Sequence, residues 1–202
     1  TPDGCGYKTP RAVDVNPEKA RSLLAQAGLP GGKGFPRLEL MTTSREVQKT
    51  MAEAIQGMWK KHLGIHVDIR SCEWTAYKFA QNSMQYDFSS SSWSGDYLDP
   101  SSFLDLWGSA SGNNNTGWFH PEYERLLAES RATGDQEKRM ALLARAEALM
   151  LSESPVIPLY WAKRSYLKRP EVRGWHPLLL DNHLFEDISL DDAREHGKEA
   201  AP

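Results

Sequence analysis

Ala20, Leu23, Leu24 and Ala27 recur at helical spacing near the start of the chain. Asn16 ahead of them is a good N-cap, Pro17 suits the first helical position and Gly28 suits the end, which predicts a helix between these marks. After a loop from Gly28 to Pro36, Leu38, Leu40 and Thr42 alternate with Glu39 and Met41 and predict a strand. Val47, Met51, Ala54, Ile55 and Met58 return to helical spacing behind a cap at Thr43 or Ser44, as far as about His62, with Gly64 as the stop. Ile65, Val67 and Ile69 alternate against His66, Asp68 and Arg70, a second strand with one apolar face. A helix from about Thr75 to Asn82 and a short strand from Tyr86 to about Trp93 follow. Strand–helix–strand steps with short links predict an α/β sheet with parallel crossovers.

The middle of the chain changes character. Ser89 to Gly117 is dense in Ser, Gly, Asn and Asp, yet carries Trp93, Tyr97, Phe103, Trp107 and Trp118. Disordered linkers lack aromatics, so this mixture points to a binding surface. Two helices are predicted next, from Pro121 to about Ala132 and from Asp135 to about Leu151, the second with Met140, Leu143, Ala146 and Met150 on its inner face. Val156 to Lys168 reads as a strand pair, Pro170 to Leu190 as short strand-like pieces, and the segment from Asp191 as a charged tail.

With 24 basic and 27 acidic residues the net charge is −3, which argues against a general binder of nucleic acid or anionic membranes. No run of about 18 apolar residues predicts a membrane span. Thr1 to Lys8 does not read as a signal peptide; it reads as a chain entered in a loop, as in a mature or truncated piece of something longer. Cys5 and Cys72 leave three readings open: free thiols, one disulfide, or a remote metal pair.

Enzymatic templates fit poorly. Gly31-Gly32-Lys33-Gly34 fails as a phosphate loop on spacing and on its place between a helix and a strand. No G-x-S-x-G elbow exists. His62 and His66 are separated by Gly64, which breaks the helix a metal face would need. Asp96 and Asp99 have the chemistry of an acid/base pair acting on a glycan, but proximity in sequence alone does not make one. With no nucleophile–base pattern and no metal-ligand spacing elsewhere, no catalytic residue, metal or cofactor is expected. Trp59 and Trp161 lie in predicted regular elements and read as core. Trp93, Trp107 and Trp118 lie in or beside the polar loop, where ligands of α/β folds bind. Tryptophan faces with a carboxylate suit a flexible ligand bearing an amine. The plainer role for Asp96 is to cap a helix beginning near Ser101 or Ser102.

An ordered set of motifs then resembles the family 5 extracellular solute-binding proteins, the peptide receptors of bacterial ABC importers. It runs through Asn16 to Leu24 with Ala27-Gly28, Gln56 to Ile65, and Trp74 to Phe103 with Ser94-Gly95-Asp96-Tyr97-Leu98-Asp99-Pro100. It continues through Asn114 to Trp118, Pro121-Glu122-Tyr123, Pro155 to Tyr160 and Val172 to Trp175. The resemblance implies a periplasmic-binding-protein-type α/β lobe, with a mixed, mostly parallel sheet flanked by helices. It implies a C-terminal lobe over residues 1–173, a segment 174–190 that returns to a first lobe lying outside this chain, and a tail 191–202. It implies a periplasmic or cell-surface location, an importer permease as partner, and no chemistry. An exported receptor also makes a Cys5–Cys72 bond possible.

The resemblance assigns Asp96 to the amino group of a peptide, Trp93 and Trp74 to the cleft wall, and the backbone near Ser92 and Ser94 to strand-like pairing with the ligand. Gln81 and Ser90 fall where well-known members carry arginines for the ligand's carboxyl end, and neither replaces a guanidinium. Ser94 falls where some members have Cys. Rival readings are a non-peptide solute such as an oligosaccharide or metal chelate, and a sensing module not coupled to transport. The half-site aromatics of such a piece are expected to promote self-association.

Overall fold

The computed structural model describes residues 1–4, 6–10, 15–163, 165–178 and 180–191. They fall into two compact units: Thr1–Trp93 with Asp99–Ile157, and Ser94–Leu98 with Pro158–Pro202. Cys5 and the tail from 192, on which the disulfide and tail expectations fall, lie outside the described residues.

The first unit opens with helix α1 (Pro17–Gln26), where the Asn16 side chain accepts from Lys19 N as its composition predicts. Strand β1 (Leu38–Thr43), helix α2 (Glu46–Leu63), strand β2 (Val67–Cys72), helix α3 (Trp74–Asn82) and strand β3 (Phe88–Ser89) follow. All three strands are parallel in the order β2-β1-β3, which makes this the expected α/β fold. The central position of β1 explains one misreading. Leu40 faces α2 while Met41, expected on the polar side, packs against Tyr77 and Ala80 of α3, so both faces are buried.

Helix α2 also differs from its prediction. Its buried face carries Ala52 and Ile55, with Met51 and Trp59 packed beside them, while Val47 and Met58 are exposed. Neither Thr43 nor Ser44 caps it; Ser44 N instead donates to Cys72 O, and Arg45 occupies the N-cap position. Leu23 of α1 is exposed as well, leaving Leu24 to pack on the sheet. Gly64 ends α2 in the left-handed region at φ 71°, and a Cβ there would lie 2.2 Å from Gly31 O. The glycine-rich loop therefore serves a close backbone crossing, not a phosphate.

The rest of the first unit packs α5 (Pro121–Ala132) against α6 (Gln136–Glu153), at almost the bounds their caps predict. Met140, Leu143, Ala146 and Met150 are buried as expected, with Leu126 and Leu127 facing them. The short helix α4 (Ser101–Leu104) joins this core through Leu104, whose carbonyl accepts from the buried Tyr123 hydroxyl at 2.7 Å.

The second unit holds one antiparallel ladder, β4 (Val172–Arg173) with β5 (Ser189–Leu190). Trp175 stacks on His183 with centroids at 4.8 Å and meets Tyr166 edge-on at 4.3 Å. The described residues of 156–168 form no strand, against expectation, and Trp161 is 60% exposed instead of core. Leu167, Leu184, Phe185 and Leu190 are exposed too.

Candidate functional site

Parallel strands deliver their following loops to one edge, and here three candidate segments leave the carboxyl ends of three neighbouring strands. Trp74 begins α3 directly after β2; Ser90, Ser92 and Trp93 follow β3; the first turns of α2 follow β1. Helices α2 and α3 pack on opposite faces of the sheet, and the strand order reverses at β1. That places the β1/β3 junction at a switch point, the usual ligand crevice of open α/β sheets.

Ser90 marks this junction. Its N–H extends the ladder to Met41 O at 2.9 Å, and its hydroxyl bonds Gln48 Oε1 of α2 at 3.2 Å. The Tyr77 hydroxyl bonds the Ser90 carbonyl and lies 3.1 Å from Ser89 Oγ. Gln81 is only 5% exposed: its amide N donates to Tyr77 Oη at 3.1 Å and Ser89 Oγ at 3.3 Å, and its oxygen accepts from Lys78 Nζ at 2.8 Å. Gln81 and Ser90 are thus neighbours in one polar network, joined through Tyr77, not two separate points on an open wall. The network holds Gln48, Tyr77 and Lys78, none of which was singled out from the sequence. The signal for the last two was their helical spacing from Trp74 and Gln81.

The two expected wall tryptophans present their rings to solvent. Trp74 is 55% exposed and stacks on Tyr77 with centroids 5.9 Å apart. Trp93 is 41% exposed, and its indole N–H donates to Ser102 O at 2.9 Å. With the donor satisfied, the ring face is what Trp93 has left to offer a ligand. Ser92 is exposed; Ser94 and Asp96, also exposed, belong to the second unit.

Two other aromatics of the polar loop are structural. Trp107 and Trp118 pack against the α5–α6 core, Trp118 edge-on to Tyr123 with centroids at 4.9 Å. Asn114 holds that loop: its amide donates to the carbonyls of Trp107 and Trp118 at 3.1 and 3.0 Å, while its oxygen accepts from the Thr116 hydroxyl at 2.7 Å. Asp99 receives Ser101 N at 2.9 Å, the capping role considered for Asp96, and is clamped by Arg139 at 2.7 and 2.8 Å. The guanidinium, helped by Ser101, holds its carboxyl down at about 2. A carboxylate so occupied does not serve as half of an acid/base pair. Among the described residues no group of three potential metal ligands gathers.

Comparison with known proteins agrees with this geometry. The family described as bacterial extracellular solute-binding proteins, family 5 Middle, matches residues 2–115. The oligopeptide-binding protein OppA of Bacillus subtilis is 33% identical over 170 residues, covering 84% of this chain and 31% of that protein. A dipeptide-binding protein of Escherichia coli is 32% identical over 184 residues, 87% of this chain and 34% of its own length. The chain therefore spans about a third of the curated relatives it matches. The crystal structure of a periplasmic oligopeptide-binding protein from Borrelia burgdorferi superposes with a TM-score of 0.84 at 33% identity, over 95% of this chain and 39% of that one. The motifs, the parallel switch-point sheet and these matches together make the chain a member of the bacterial extracellular solute-binding proteins, family 5.

Proposed function

We propose that these residues form the ligand-holding part of the second lobe of a peptide receptor serving an ABC importer, located in the periplasm or at the cell surface. The observation that carries the reading is the exposed pair Trp74 and Trp93 at the carboxyl edge of a parallel sheet, in a chain whose relatives are named for oligopeptide and dipeptide binding. Rings on the wall cover apolar parts of a ligand without selecting its side chains. The backbone beyond Ser90, where β3 ends its ladder with β1, is placed to pair with an extended main chain as an added strand does. Asp96, three residues after Trp93, takes the amino terminus through a charge-assisted bond. Closure of a first lobe over this one completes the site, driven by contacts that exist only in the closed state. Segment 174–190 returns to that lobe. No reaction is performed; the cargo is handed to a membrane permease.

Calorimetry on the complete receptor tests the anchor. Asp96→Asn is expected to weaken an alanine peptide with a free amine by about tenfold or more, and to leave the N-acetylated peptide unaffected. Equal affinity of wild type and variant for the free-amine peptide would remove Asp96 from the site.

A further inference from the structure

Asp96 stands midway along a short excursion of the chain, three residues from Trp93 and three from Asp99. Both of those residues are tied to the start of α4. The Trp93 indole N–H donates to Ser102 O at 2.9 Å. Asp99 Oδ1 accepts from Ser101 N at 2.9 Å and from the Ser101 hydroxyl at 2.7 Å. The base of the excursion is therefore pinched at two consecutive residues, 101 and 102.

Helix α6 holds one side of this base. Arg139, in its first turn, reaches across 40 residues of sequence and grips both oxygens of Asp99. Nη1 donates to Oδ2 at 2.7 Å and Nη2 to Oδ1 at 2.8 Å. A guanidinium fork closed on both oxygens fixes the plane of a carboxylate as well as its place. The two side chains are 21% and 23% exposed, so solvent screens the pair less than a surface ion pair. The next residue, Met140, is buried in the α5–α6 core, which seats Arg139 on a rigid support. Receiving Ser101 N asks for one acceptor, as Asn16 and Asp135 show at the starts of α1 and α6. The fork goes beyond that need. A carboxylate already held in place binds an amine better than one on a loop that must be ordered at the moment of binding.

We propose that Arg139 is a positioning residue for ligand binding: its grip on Asp99 fixes the base of the excursion and holds Asp96 where the ligand's amine meets it. This rests on the assignment of Asp96 above and deepens it, because Arg139 acts through Asp99 and does not itself touch the ligand.

Calorimetry on the complete receptor with tetra-alanine and N-acetyl-tetra-alanine separates the two ideas. Wild type is expected to favour the free amine by about tenfold or more, and Asp96→Asn to lose that preference. Arg139→Met should reduce the preference by about threefold or more while keeping the affinity for the acetylated peptide, which also reports that the variant is folded. Combined with Asp96→Asn it should reduce the preference no further. Asp99→Asn, which keeps the size of the side chain and loosens the same grip from the other side, should follow Arg139→Met. A preference that survives both variants, or a loss shared equally by the two peptides, overturns the positioning role and leaves Asp96 in the site. Absence of the preference in wild type overturns the roles of Asp96 and Arg139 together.

Discussion

At the scale of single residues, each end of the chain's excursion at 94–98 is fixed by a bond inside the first unit. Trp93 donates to Ser102 O, and Asp99 is clamped by Arg139. The carboxyl of Asp99 is lowered to about 2 by Arg139 first and then by Ser101. A carboxyl depressed in the folded state stabilises the fold above its unfolded value of about 4, and that contribution is lost as pH falls through about 2. Allowing for the solvent that still reaches the pair, it is worth about 1–2 kcal/mol at neutral pH. Asp99→Asn should therefore cost about that much in urea titrations at pH 7, and the gap to wild type should narrow between pH 5 and pH 2. A gap that stays constant across that range contradicts the account. A second residue-level test is the buried bond of Tyr123 to Leu104 O. Tyr123→Phe leaves that carbonyl without its donor, at an expected cost of about 1–2 kcal/mol in the same titration.

At the scale of elements, two backbones cross where α2 ends. Gly64→Ala puts a Cβ against Gly31 O and forces a non-glycine residue to φ 71°. Thermal unfolding of this variant should begin several degrees lower, reflecting a loss of about 2 kcal/mol or more; an unchanged midpoint would mean the crossing has room. Helices α5 and α6 were readable almost to the residue, because Pro121 and Asp135 mark their starts and one apolar face runs through each. Strand β1 was found but its faces were not: alternation reports a half-buried strand, and β1 sits between two others with helices on both sides. The inner face of α2 was rotated because Ala52, a small residue with little pattern weight, and Trp59 make the contacts. The described residues of 156–168 form no strand pair, and Ile157, Leu159, Tyr160, Trp161 and Leu167 lie exposed, so apolar content alone did not make a ladder there. The site was partly legible. Among the candidates, Trp93 and Asp96 stand out in the polar, aromatic stretch and Trp74 rests on a resemblance, whereas Trp107 and Trp118 look equivalent to Trp93 and are packing residues. Nothing in composition marks Lys78; its helical spacing from Trp74 and Gln81 was the one signal.

At the scale of the molecule, the chain covers about a third of its relatives, and its second unit is rich in exposed apolar side chains. Tyr160, Trp161, Leu167, Leu184, Phe185 and Leu190 are exposed along it, more apolar surface than a short ladder can cover. Expressed alone, these 202 residues should self-associate, seen as a rising mass in light scattering with concentration; a clean monomer at high concentration contradicts this. The central claim is that ligand lies along the end of β3. Hydrogen exchange on the complete receptor, with and without a bound peptide, reads it directly. The amides of Ser91, Ser92 and Trp93 should exchange much more slowly when peptide is bound, as they would inside a ladder. Unchanged exchange at these three amides in a receptor saturated with peptide would contradict the account.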